Sequence, residues 1–334
     1  MTTTPSLDLS VVVPTFNRGS LLKSLLERLL SQDAAGISYE IVLVDNNSTD
    51  NTRAVVEACI AADTSGRLRY VFEPRQGVSH ARNTGGACAR AGIIAFLDDD
   101  GIPCSSWVRE MKAAFDAYPQ ADCIGGRVRA RWTTPCPSWL TGVHMGPVAL
   151  QDRAHQAWIS KSSASACLLT ANLGIRRAVL LDAGGFSPAY PRNQDRELEL
   201  RLWRAGKLGL YLPSIEVVVD VPAERLTKQY HRRWQATTGA YHALMRFRDT
   251  VDKDGRLVDE SAHTRRLLGS PLFLYRECLK HGRGWVASLV SGKHDRRFFH
   301  ETRLWYCASF FWTRAKTDVI PRLHAGFLRT APRP

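Results

Sequence analysis

Apolar runs and helical periodicities alternate along the first hundred residues. Residues 9–14, 40–45, 68–72 and 93–98 form short, β-branched apolar runs. Between them, residues 21–31, 52–62 and 78–91 repeat their apolar side chains at helical spacing. A strand–helix alternation of this kind predicts an α/β fold with a Rossmann-like, mostly parallel sheet flanked by helices. Ligands of such sheets bind beyond the carboxyl ends of the strands, and Pro14, Thr15, Asp45 and the triplet Asp98, Asp99 and Asp100 all fall there.

The pattern is less regular further on. Residues 121–140 are punctuated by Gly-Gly, Arg-Trp and prolines and predict short strands and loops. A buried segment is expected over 165–175, then a helix over 176–183, a turn at Gly184-Gly185, and a second helix over 195–205 stopped by Gly206. Residues 224–249 read as one helix with a basic face, and 265–279 and 298–315 as amphipathic helices. Two regions are expected, 1–223 and a basic helical 224–334.

Charge sharpens that division. Of the net +13, residues 224–334 hold +12, with 22 Lys+Arg against 10 Asp+Glu. Such a region suits an anionic membrane surface, a nucleic acid or a phosphorylated substrate. The eight cysteines include no C-x-x-C pair, which points to reduced thiols and a cytoplasmic setting rather than to zinc or a disulfide framework. No apolar stretch is long enough to span a membrane, and the N-terminus has no signal-peptide pattern.

Three carboxylates closing an apolar strand repel one another unless a cation or strong donors offset them, so Phe96-Leu97-Asp98-Asp99-Asp100 points to a divalent metal. Oxygen ligands favour Mn or Mg over Zn. A solvated acidic turn is the alternative. Asp45 can accept from a base or ribose, while Asp50 reads as a cap for the helix that follows. The turn Pro14-Thr15-Phe16-Asn17-Arg18-Gly19 lacks the G-x-G-x-x-G of dinucleotide-binding proteins.

The phrases Val-Val-Val-Pro-Thr-Phe-Asn-Arg (11–18), Val-Asp-Asn-Asn-Ser-Thr-Asp-Asn-Thr (44–52), Ala-Arg-Asn-Thr-Gly (81–85) and Phe-Leu-Asp-Asp-Asp (96–100) resemble, in order and spacing, the motifs of bacterial family 2 glycosyltransferases with the GT-A fold. The resemblance continues through 123–128, Asn172, 184–186 and 195–206. It implies an inverting enzyme that moves a sugar from a UDP- or GDP-linked donor to a saccharide or lipid-linked acceptor, in glycan, lipopolysaccharide or exopolysaccharide synthesis. By position, Pro14, Thr15, Phe16, Asn17, Arg18 and Asp45 would line base and ribose, and Asp99 would contact the ribose. Asp100 would bind the metal, and Asp98 would do so directly or through water. Arg82 would reach the diphosphate or pair with the acidic triplet.

An inverting transfer needs one base for the acceptor proton. The position matching the family's is Asp195, which could equally cap its helix. Two departures stand out: Gln194 where the family usually has Glu, and Asp220 where many relatives carry His. Asp220 could still complete an Mn or Mg shell. Glu197 and Arg201, four apart, read as a helix staple. Residues 264–334, basic and rich in Trp and Phe, suit the inner face of an anionic membrane. Rival readings are a nucleotidyltransferase acting on sugar phosphates, which would usually show a Gly-rich phosphate loop, and a basic RNA-binding protein.

Overall fold

The computed structural model describes residues 7–159, 167–251, 265–292 and 294–319. Residues 165–166, where the expected buried segment begins, residue 264 and the final stretch 320–334 lie outside them. The described residues form two compact units, one of 7–131, 149–159 and 167–220, the other of 132–148, 221–251, 265–292 and 294–319. The second unit takes in 132–148 as well as the described chain from Val221 onward, so it is not one continuous stretch.

In the first unit, β1 (Leu9–Thr15), α1 (Gly19–Leu30), β2 (Tyr39–Asp45), α2 (Thr52–Ala62), β3 (Leu68–Phe72), α3 (Val78–Cys88) and β4 (Ile93–Leu97) follow the expected alternation. Then come β5 (Gly101–Pro103), α4 (Trp107–Ala117), β6 (Cys123–Trp132), β7 (Ala157–Trp158), β8 (Asn172–Arg176), α5 (Arg177–Asp182), α6 (Gln194–Arg204) and β9 (Gly209–Val221). Nine strands make one sheet in the order β3-β2-β1-β4-β8-β6-β9-β5, with β7 on β9. The pairs β2/β3, β1/β2 and β1/β4 are parallel; β8 joins β4 antiparallel.

Burial explains the pattern. All seven residues of β1 and of β2 are buried, as expected of parallel strands covered on both faces. Helix α1 buries Leu22, Leu25, Leu26 and Leu29, a stripe at helical spacing. Helix α3 lies so close to the sheet that a Cβ on Gly85 would run into Val12. Because β2 and β3 extend to one side of β1 and β4 to the other, the chain reverses its direction across the sheet between β1 and β4. That is the switch point where open α/β sheets form their crevice.

The region of 121–140 departs from expectation. Rather than several short strands, Cys123–Trp132 is one ten-residue strand. Gly125-Gly126, which reads as a turn, sits inside it because close neighbours leave no room for side chains. A Cβ on Gly126 would meet the Ile215 carbonyl and the Asn172 amide. Asn172 is fully buried; it donates to the Arg127 and Ile215 carbonyls at 3.0 Å each and accepts from Trp107 Nε1 at 2.9 Å.

The second unit is helical: α7 (Lys228–Leu244), α8 (Phe247–Thr250), β10 (Arg266–Leu267), β11 (Ser270–Pro271), α9 (Leu272–Val290) and α10 (His294–Arg314). The single helix expected over 224–249 breaks at Arg246, whose φ of 55° is left-handed. The helix expected over 265–279 begins only at Leu272; before it, Leu268 and Gly269, both at positive φ, turn a short hairpin. Leu268 therefore does not share a helical face with Leu272, Tyr275 and Leu279. Ala243, Leu274, Tyr306, Cys307 and Phe310 form this unit's core.

Candidate active site

At the switch point, Thr15 ends β1 in register with Asp45 at the end of β2. Its hydroxyl donates to Asp99 Oδ2 at 2.7 Å, joining the β1 turn to the acidic turn after β4. Arg18 Nε lies 4.0 Å from the other Asp99 oxygen. Burial pushes the Asp99 carboxyl up to about 6; Thr15 opposes the shift, and the negative charges of Asp100 and Asp98 add to it. Burial is the larger cause and the crowded charges the smaller, and a cation would relieve the second.

The β1 turn is built by Asn17. At φ 53° it occupies the left-handed region that asparagine tolerates, and its Oδ1 accepts from Thr49 N at 2.8 Å and Asp50 N at 3.3 Å. Pro14 is buried within β1, while Phe16 and Arg18 face solvent. Asp50 accepts from Thr52 N at 2.9 Å and Gly19 N at 3.1 Å, the first amides of α2 and α1, while Asn51 rather than Asp50 occupies the cap position of α2. Asp45 is different. It is 2% exposed, with one oxygen on Ser48 N at 2.9 Å and the other on the Tyr70 hydroxyl at 2.8 Å. In this arrangement it holds the loop, and each oxygen keeps a second acceptor site.

Arg82 comes from α3 and is buried. Its Nη2 donates to Asp98 Oδ1 at 2.8 Å, and its guanidinium lies 5.6 Å from the Phe186 ring centre. Nε and Nη1 find no partner among the described residues. Buried guanidinium donors are seldom left unmatched, so a second anion on this side is chemically apt. Asn83 next to it exchanges two hydrogen bonds with the Phe186 backbone, at 2.7 and 2.8 Å, and so fixes the Gly184-Gly185 turn.

Asp195 lies in the first turn of α6. Asn193 occupies the cap position with no side-chain cap bond, and Asp195 Oδ1 accepts from Arg196 N at 2.8 Å. Asp195 is therefore not the cap. Burial raises its carboxyl above the usual range, the Arg196 amide and the charges of Arg82 and Arg196 oppose this, and Asp98 adds to it. Arg82 and Asp98 thus act electrostatically on Asp195, and the three share one neighbourhood. Gln194 keeps a buried amide oxygen without a partner. Glu197 and Arg201 make the expected staple at 2.7 Å, and Arg201 also donates to Gly185 O at 2.7 Å.

Asp220 is engaged elsewhere: Arg131 binds both its oxygens, at 2.6 and 2.8 Å. Among the described residues no group of three or more His, Cys, Asp or Glu side chains is arranged to hold a metal. The donor set nevertheless fits Mn or Mg, which need only one or two carboxylates when water and substrate oxygens fill the remaining positions. Asp98 and Asp100 could supply these.

A Rossmann-like sheet with carboxylates and an arginine gathered at its switch point belongs to the class of α/β domains whose ligands bind in that crevice. Residues 10–168 match the profile of Glycosyl transferase family 2, and the fold is of the GT-A type. Validoxylamine A glucosyltransferase of Streptomyces hygroscopicus subsp. limoneus is 40% identical over 120 residues, 35% of this chain and 26% of that protein. GalNAc(5)-diNAcBac-PP-undecaprenol beta-1,3-glucosyltransferase of Campylobacter jejuni subsp. jejuni serotype O:2 is 37% identical over 94 residues, 28% of this chain and 29% of that protein. These matches span only about a quarter of each relative's length. Among solved structures, the mannosyltransferase PcManGT from Pyrobaculum calidifontis, in complex with GDP-Man and Mn2+, superposes with a TM-score of 0.61 at 17% identity, covering 94% of this chain and 89% of that one. S. aureus TarS 1-349 in complex with UDP-GlcNAc gives 0.54 at 16% identity, covering 92% and 90%. At such identities the likeness is one of fold.

The sequence gives no sign of Tyr70's part at the site, and it places Phe186 within the resemblance at 184–186 without a role. Tyr70 belongs to an ordinary strand pattern, and Phe186 follows a Gly-Gly turn; only the fold brings one to Asp45 and the other to Arg82.

Proposed function

We propose that the chain is an inverting glycosyltransferase that moves a hexosyl group from a UDP- or GDP-linked donor to an acceptor hydroxyl in glycan, lipopolysaccharide or exopolysaccharide synthesis. The observation that carries this reading is the electrostatic neighbourhood of Asp195, Arg82 and Asp98 beside the switch-point crevice. In the proposed step Asp195 takes the acceptor proton as the hydroxyl oxygen forms its bond to the anomeric carbon. The bond from that carbon to the diphosphate breaks on the opposite face, and the diphosphate leaves with the electron pair. The free Nε and Nη1 of Arg82 are suited to a diphosphate oxygen. Thr15, Asn17, Arg18 and Asp99 would line the nucleoside. Asp98 and Asp100 would hold the cation, which when bound neutralises charge on the leaving diphosphate. Asp220 enters that shell only by releasing Arg131. Thermal-shift screening of UDP- and GDP-sugars with Mn tests donor choice. NMR of the product's anomeric proton tests inversion, and retained configuration would overturn it.

We also propose that the second unit rests on an anionic membrane surface, the inner face of the plasma membrane in a cytoplasmic enzyme. Among the described residues no helix is long and apolar enough to cross a membrane. Helices α9 and α10 instead leave Leu279, Val286, Val290, Trp305 and Trp312 in solvent. Arg276, Lys280 and Arg283 line the exposed stripe of α9, and Lys316 lies 4.8 Å from the Trp312 ring centre. Each basic residue near an anionic leaflet is worth about 1 kcal/mol. Sedimentation with phosphatidylglycerol-containing and neutral vesicles should show binding to the first only, weakened in Trp305→Ala/Trp312→Ala. Equal recovery in the soluble fraction throughout would overturn this.

A further inference from the structure

A cavity of about 410 Å³ opens within the second unit, with walls from α7 (Gln235), α9 (Glu277, Lys280, His281) and α10 (Thr302, Arg303). Phe299 gives it one aromatic side. Its charge is unbalanced. Glu277 is already held by Arg248 Nη2 at 3.3 Å, whereas Lys280 and Arg303 form no ion pair among the described residues. Arg303 is steadied by the Tyr306 ring, 5.1 Å from its guanidinium carbon, which leaves its donors available.

His281, which lines the cavity, is paired with His300. Their Nδ1 atoms lie 3.0 Å apart, a bond in which one ring donates its N–H and the other accepts through a bare nitrogen. The two helices come this close because residue 284 is glycine; a Cβ there would run into the His300 ring. Burial holds His281 down at about 4, and the charges of Arg303, His300 and Lys280 push the same way. The ring that accepts at Nδ1 carries its proton on Nε2, a further neutral donor.

We propose that this cavity is a binding site for a phosphate ester, gripped by Lys280 and Arg303. Two unpaired cations with Gln235 offer the multiple donors that tetrahedral phosphate oxygens accept. None of these residues belongs to the proposed transfer site, and the inference does not rest on the transferase reading. The phosphate has two possible sources, a soluble ester or the headgroup of a phospholipid. Leu279 and Trp305, exposed on the same two helices, favour the headgroup.

The test follows the labelled imidazole carbons of the full-length protein by NMR during titration with sn-glycerol 1-phosphate. Vesicle sedimentation, with phosphatidylcholine alone or mixed with phosphatidylglycerol, forms the second arm. The His281 and His300 signals should move with the ester, and affinity should fall at least tenfold in Lys280→Gln/Arg303→Gln, whose melting temperature is measured alongside. Single variants Lys280→Gln and Arg303→Gln serve if the double variant does not fold. Movement with the soluble ester supports the site and names that source. Charge-dependent vesicle binding that weakens tenfold in the variants, without response to the ester, supports the site and names the headgroup. Failure of both probes, or affinity unchanged in folded variants, overturns it.

Discussion

Arg82 reaches from α3 to Asp98 at 2.8 Å and makes a nearly buried cation the counterpart of the acidic turn after β4. The pair has an uneven environment, because the Arg82 side chain is 4% exposed and that of Asp98 is 34% exposed. Solvent screens part of the attraction, yet removing the guanidinium leaves Asp98 beside Asp99 and Asp100 without this ion-pair partner. Arg82→Met should therefore lower stability by roughly 2 kcal/mol, less than a fully buried pair would lose. It should also weaken nucleoside diphosphate binding. Urea unfolding and calorimetry measure the two effects separately.

Asp195→Asn should retain donor affinity and lose about two to four orders of magnitude in kcat, the usual contribution of a general base. Since burial raises the Asp195 carboxyl, the acid limb of kcat/KM should lie above the ordinary aspartate range and disappear from the residual activity of the variant. A near-normal kcat in the variant would remove Asp195 from the chemistry.

The sheet could be read from the chain because parallel strands buried on both faces leave uninterrupted apolar runs, as in residues 9–14 and 40–45. The placement of the carboxylate triplet after a strand and of Asp195 at a helix start could be read because strand ends and helix starts have fixed places in such a fold. Gly125-Gly126 misled, since glycine signals a turn and a close backbone approach alike, and only the position of Ile215 decides between them. The Leu268-Gly269 turn was likewise hidden within an apolar, helix-like spacing. Tyr70 and Arg131 occupy Asp45 and Asp220 through contacts between distant strands, which no local pattern encodes.

Asn172 links β8 to the middle of β6 and of β9 and to Trp107 through three hydrogen bonds. Asn172→Ala would strand the buried Trp107 Nε1 and remove donors from two carbonyls, each unsatisfied group costing about 1–3 kcal/mol. A loss of roughly 3 kcal/mol in chemical denaturation is expected. A change under 1 kcal/mol would show that water replaces the amide.

His231 is fully buried in the second unit, its Nε2–H donating to the Arg225 carbonyl at 3.1 Å and its ring packed on Trp139. Burial pushes it down from 6.5 to about 4, and the neighbouring His144 acts in the same direction. Between those values the unfolded chain binds a proton here that the folded chain does not. The contribution is fully present above pH 6.5 and lost as pH falls towards 4, on the order of 3 kcal/mol in all. His231→Gln should unfold with a shallower pH dependence across that window than the wild type. Parallel slopes would contradict it.

The proposed transfer requires that Asp98 and Asp100 bring a cation to a nucleoside diphosphate at the switch point. Calorimetry of UDP and GDP with and without Mn, on the wild type and Asp100→Ala, measures this. The wild type should bind one of the two nucleotides tightly only when Mn is present, since a bare diphosphate would meet the repulsion of the acidic turn. Asp100→Ala should lose that Mn-dependent gain. Binding that is equally strong without Mn, or unchanged in the variant, would contradict the account.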